Sequence, residues 1–162
     1  MFKLQIKYLS FFFGIVSILS FFNILYSYYF NLYLNLDTYY FTLLASSTLF
    51  ITFFKFGKYD IKSNIFQRVL TIFLGYLLIP LVLSIPFYFS IYNLTFSNSF
   101  FEAISGFTST GFTIFENIKL IDQSLIIWRS TTQWIGGLYF LFSIIYLIDI
   151  YDDSFKKTLT NF

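Results

Sequence analysis

The chain has 162 residues, 57% of them hydrophobic and only 11% charged, with a net charge of +2 and a mean hydropathy of +0.73. A soluble domain carries about 25% charged residues, so lipid is the solvent for most of this chain. The absence of Cys and His excludes disulfides, thiolate chemistry and the commonest general base, and the charge is too small to indicate nucleic acid.

Aromatic residues reach 26%, with 26 Phe and 14 Tyr. This reads as compositional bias rather than aromatic recognition, because Phe faces lipid as readily as Leu does. At the N-terminus Lys3 and Lys7 precede an apolar run, as in a signal peptide. A signal peptide needs small residues at its cleavage site, and the first alanine is Ala45. The segment is therefore read as a retained helix.

Four apolar segments follow in chain order: Tyr8 to Phe30, Tyr39 to Phe54, Val69 to Tyr92 and Leu125 to Ile150. A span needs about 20 residues. The second is short and spans if Asp37 and Lys55 lie at the interfaces. The runs do not alternate in polarity as barrel strands do, and a non-barrel chain in lipid must be helical. Pro80 and Pro86 are expected to kink the third helix. The polar loop Lys55 to Asn64 separates a hairpin, residues 1–64, from the rest, residues 65–162.

Charge sets the orientation. Lys3, Lys7, Lys55, Lys58, Lys62, Arg68, Lys156 and Lys157 fall on one side if four segments span, which is eight of the 10 basic residues. The positive-inside rule makes that side cytoplasmic. Both termini are then cytoplasmic and Phe100 to Glu116 is external. Trp128 is expected in the outer aromatic belt and Trp134 in the packed interior.

Between the third and fourth segments lies "SNSFFEAISGFTSTGFT", Ser97 to Thr113. Ser97 or Ser99 is a candidate N-cap, with Glu102 at capping-box spacing from Ser99, and Gly106 a candidate terminator. A helix from Ser97 to Gly106 is roughly 15 Å long, half a bilayer, and is read as re-entrant from outside. The polar stretch Thr108 to Thr113 follows. Non-helical backbone at membrane depth must line water or be buried in protein. A potassium filter is such a structure, its carbonyls replacing the hydration shell of the ion. Ser109 to Thr113 overlays that pattern with Gly111 on its first glycine.

Arg129 lies one turn into the last span. Snorkelling is one reading; pairing with a carboxylate or with filter carbonyls is the other, and Glu102 is the preferred partner. Gly136 and Gly137 are read as a close-packing notch ahead of a hinge. Asp149, Asp152 and Asp153 read as a solvated helix end rather than a chelating site.

Phe101, Glu102, Ser105 and Gly106, then Gly111, then Arg129, Gln133, Trp134, Gly136 and Gly137 together resemble the first pore repeat of the Trk/Ktr potassium uptake transporters. The two preceding helices resemble the Trk branch. The resemblance is specific from about Phe100 to Leu138. It implies an all-α integral membrane fold: a transmembrane hairpin, then one repeat of outer helix, pore helix, filter loop and inner helix. It implies potassium transport without covalent chemistry, so no enzyme. Filter carbonyls would be those of Thr108, Ser109, Thr110, Gly111 and Phe112, with potassium at Ser109, Thr110 and Gly111. Glu102 and Arg129 would support them. No cofactor is expected beyond the transported ion.

Members of that family carry four repeats per polypeptide, and this sequence contains one. One strand supplies a quarter of a carbonyl ring, so further pore repeats, in a longer chain or in other copies, are the expected partners. Membrane lipid and a cytoplasmic nucleotide-binding regulatory subunit are the others. A non-conducting remnant or assembly module that keeps the pore fold is the alternative.

Overall fold

In the computed structural model, which describes residues 6–57 and 65–159, the chain is helical: α1 Ile6–Tyr29, α2 Leu36–Phe56, α3 Ile65–Leu83, α4 Ile85–Tyr88, α5 Phe96–Phe107 and α6 Gln123–Leu159, with a 3₁₀ turn at Ile118–Leu120. The boundary loop expected near residues 58–64 lies outside the described residues, as do the side chains of Asp149, Asp152 and Asp153.

Among the described residues, three helical stretches are long and apolar enough to cross a membrane: Lys7–Tyr29, Ile65–Tyr88 and Gln123–Ile148. The second unites α3 and α4. The fold is thus that of an all-α, multi-pass membrane protein. Four spans were expected from sequence. The missing one is α2, which has the length, 21 residues, and falls short in apolarity. Its hydroxyls explain this. Thr38, Thr42, Ser46, Ser47, Thr48 and Thr52 each donate to a backbone carbonyl three or four residues earlier. Residue hydropathy counts these groups as polar, yet each is satisfied inside its own helix.

The helices α1 and α2 pack antiparallel. Ser17 donates to Ser46 at 2.8 Å, and the Tyr28 and Tyr40 hydroxyls meet at 3.0 Å nearer the connecting turn. The hairpin shares one core with the rest: Phe12, Phe13 and Tyr39 belong to the same buried cluster as Ile79, Trp128 and Tyr139. In hydrocarbon such cohesion comes from close packing and interhelical hydrogen bonds, the latter about 1 kcal/mol each.

The expected kink in the third segment is a break. The helix continues through Pro80, stops at Leu83, and restarts at Ile85 with Pro86 in its first turn. Pro86 has no N–H to offer the preceding turn. The indole of Trp128 donates to the Leu83 carbonyl at 3.0 Å. Within this chain Trp128 is fully buried and Trp134 is 60% exposed, so the packing expected around Trp134 is not supplied by this chain alone. A polar N–H that stitches a helix break belongs inside, whatever its depth.

Asn35, in the turn of the hairpin, joins three segments. It is 1% exposed. Its amide donates to Asp122 Oδ2 at 3.0 Å, and its Oδ1 accepts from the Ile91 N–H at 3.1 Å. Asp122 also accepts from the Ser124 hydroxyl, and its own N–H donates to Tyr92 Oη at 2.8 Å. The start of α6 is thereby tied to the hairpin and to the stretch of chain leading into α5.

Candidate functional site

The site is built on α5. Its N-cap is Thr95, whose hydroxyl accepts from Asn98 N–H at 3.3 Å. Neither Ser97 nor Ser99 caps it, because the helix begins earlier. Ser99 is buried in the first turn and donates to the Thr95 carbonyl at 3.0 Å. Glu102 is consequently free of the capping box. Gly106 does not end the helix, which runs to Phe107; a methyl there would overlap the Thr132 hydroxyl of α6.

Glu102 is 0% exposed and turns toward α6 and the loop after α5. Its Oε1 accepts from Arg129 Nε at 2.5 Å. Thr113 Oγ1 donates to the same carboxylate at 2.9 Å, and Ile114 N–H donates to Oε2 at 3.1 Å. The carboxylate therefore grips the far end of the loop by its backbone. Thr113 Oγ1 in turn accepts from Phe115 N–H at 3.2 Å.

Arg129 uses its other edge. Nη2 donates to the carbonyls of Gly111 at 3.3 Å and Phe112 at 3.2 Å. A guanidinium presents its donors in a fixed fork, so one residue spans the carboxylate and two consecutive carbonyls. A buried charge needs such pairing to persist.

Ser105 grips the same loop from inside α5, and sequence reading assigned it no role beyond the motif. Its hydroxyl donates to the Phe112 carbonyl at 2.7 Å. Its own carbonyl accepts from Thr110 N–H at 3.0 Å and from Gly111 N–H at 3.5 Å. The signal was a serine one helical turn after Glu102, which places both on one face of the helix.

Thr108 to Phe112 are exposed, and none of them is in regular secondary structure. The hydroxyls of Thr108 and Thr110 meet at 2.6 Å. Gly111 has φ +82° and Ser109 has φ +57°, while the Thr108 φ is −83°. Among the described residues the carbonyls of Thr108, Ser109 and Thr110 accept no hydrogen bond. A cavity of about 460 Å³ opens beside them, lined by Thr108, Ser109, Tyr76, Phe107 and Phe140.

The two adjacent glycines of α6 part company. A methyl on Gly136 would overlap the Phe107 carbonyl, whereas one on Gly137 meets nothing within 4 Å. Close packing accounts for Gly136 alone; both glycines border the cavity. No group of three or more metal-ligating His, Cys, Asp or Glu side chains occurs among the described residues.

No family model matches the chain, and no solved structure matches it. It is similar to curated proteins over part of its length. It is 35% identical over 65 residues to an uncharacterized cation transporter of Methanocaldococcus jannaschii, covering 40% of this chain and 14% of the relative. It is 38% identical over 60 residues to the Trk system potassium uptake protein TrkI of Halomonas elongata, covering 37% and 11%. It is 33% identical over 82 residues to the Trk system potassium uptake protein TrkH of Escherichia coli K12, covering 50% and 17%. The matches thus span less than a fifth of the length of these curated relatives, and over the matched stretches the chain is TrkH-like.

Proposed function

We propose that the chain is the N-terminal part of a Trk-type potassium uptake protein and that α5 with its following loop is one strand of a carbonyl-lined selectivity filter. The observation that carries this is the loop itself. Its near carbonyls accept no hydrogen bond among the described residues, and its far end is held by Glu102, Ser105 and Arg129. The sign of φ alternates at Ser109 and Gly111, and alternating handedness turns successive peptide planes toward one side. A dehydrated cation is then met by oxygens that cost no reorganisation.

On this reading α5 is re-entrant, with its C-terminal dipole toward the ion, and residues 65–162 form the pore repeat behind the hairpin of residues 1–64. The remaining filter strands come from further repeats. An open filter would leave backbone groups facing lipid, which the bilayer does not tolerate. The inner membrane is the location, and a cytoplasmic regulatory subunit would dock on the basic face.

Gly111 supplies the decisive test. A methyl added there would meet nothing within 4 Å, so only the backbone resists a side chain, by about 1–2 kcal/mol. In the full-length conducting protein, Gly111→Ser is expected to erode potassium-over-sodium selectivity while leaving most of the protein folded. Flux assays in liposomes measure it. Unchanged ion preference would remove the filter assignment and favour a non-conducting module.

Topology is tested separately. The native chain contains no Cys, so single cysteines report cleanly. Asn31→Cys and Asn93→Cys are expected to react with an impermeant thiol reagent from outside, and Phe56→Cys only from inside. External labelling of Phe56→Cys would reverse or shorten the four-span arrangement.

A further inference from the structure

We propose that Ser105 and Arg129 hold the carbonyls of Gly111 and Phe112 away from the ion, so that the cation-binding stretch of this strand ends at Thr110. The inference rests on the filter reading above and narrows it. An overlay on the potassium-channel pattern gives oxygen ligands from every residue between Thr108 and Phe112. The hydrogen bonds divide that set in two.

A backbone carbonyl has two lone pairs. Both of those on Phe112 are engaged, by the Ser105 hydroxyl at 2.7 Å and by Arg129 Nη2 at 3.2 Å. The Gly111 carbonyl takes the same Nη2 at 3.3 Å. Hydrogen bonds to a guanidinium are charge-assisted. Glu102 occupies the Nε side of Arg129, so these two carbonyls face the Nη2 edge, which shares the delocalised guanidinium charge. A potassium ion approaching them would meet a filled acceptor at Phe112, a half-engaged one at Gly111, and a like charge.

The other three carbonyls differ in every respect. Those of Thr108, Ser109 and Thr110 accept no hydrogen bond among the described residues. Thr108 and Ser109 line the open cavity. Positive φ recurs at Ser109 and at Gly111, so the division between the two sets lies in their hydrogen bonds. Three carbonyl levels enclose two cation positions between them once the other strands complete the rings.

Ser105 is then a positioning residue: it touches no ion and acts through the Phe112 peptide. Its conservative variant, Ser105→Thr, keeps the hydroxyl. Ser105→Ala removes it and frees the Phe112 carbonyl to compete for the cation.

The test uses the full-length polypeptide that carries this segment, with thallium(I) as a heavy potassium mimic and diffraction to locate it. Two thallium positions are expected level with the Thr108 to Thr110 carbonyls, and none between those of Gly111 and Phe112. Ser105→Ala is expected to change the potassium-to-sodium permeability ratio by about fivefold, the equivalent of one hydrogen bond, with Ser105→Thr restoring it. Thallium between the Gly111 and Phe112 carbonyls would overturn this inference and leave the filter reading intact. An unaltered ratio in a well-folded Ser105→Ala protein would also overturn it. Thallium nowhere along the loop would overturn the filter reading itself.

Discussion

Glu102→Gln is expected to destabilise the chain by about 3–5 kcal/mol, and Arg129→Gln by a similar amount. The partners meet at 2.5 Å with side-chain exposures of 0% and 11%. Removing either charge leaves the other buried with no counter-ion. It also loosens the far end of the loop, because Glu102 holds Ile114 and Arg129 holds Gly111 and Phe112. The double variant removes both charges together and should cost less than the sum of the singles, with a coupling of about 0.5–3 kcal/mol. Thermal unfolding in detergent of the wild type, the two singles and the double closes the cycle. Additive losses would refute the pairing.

Gly136→Ala is the second large effect. In an exposed helix interior alanine is favoured over glycine by up to about 1 kcal/mol. Position 136 reverses that preference. The added methyl would overlap the Phe107 carbonyl, and a backbone atom cannot rotate aside as a side chain can. The end of α5 must move, and the loop that starts at Thr108 moves with it. Overpacking of this kind costs about 1–3 kcal/mol. Gly137→Ala is the control: it meets open space and should change stability by no more than about 0.5 kcal/mol in the destabilising direction. Equal losses at the two positions would show that the crossing of α5 and α6 is not what selects glycine.

Much of this was legible because rare residues in a greasy chain must be explained. Glu102 and Arg129 stand out among apolar neighbours, and the cost of a lone buried charge points each to the other. A glycine among hydroxyl residues marks Gly111 as a backbone position. Other features were not legible. With apolar residues on every face, hydropathy cannot tell which side of a helix packs, and so the burial of Trp128 and the exposure of Trp134 within this chain were not legible. The N-cap was misplaced because Thr95, Ser97 and Ser99 all suit a cap, and only the entry of the chain from α4 decides among them. The hydroxyls of α2 lowered its apparent apolarity, since their bonds to carbonyls of the same helix do not register in a residue scale. Asn35 and Ser105 were silent for a further reason: each acts through partners that only the folded chain brings near.

The bonds of Asn35 have a consequence for synthesis. The α1–α2 contacts are local and can close as soon as the hairpin leaves the ribosome. Asn35, at the turn between those helices, waits for Ile91, 56 residues downstream, and for Asp122, 87 residues downstream. At about 5–20 residues per second the second wait is roughly 4–17 s for those 87 residues. Throughout it the amide that finally tethers α6 is held by water or by the insertion machinery. The order of translation thus places the hairpin as a dock already in position, onto which the later helices are fastened one after another.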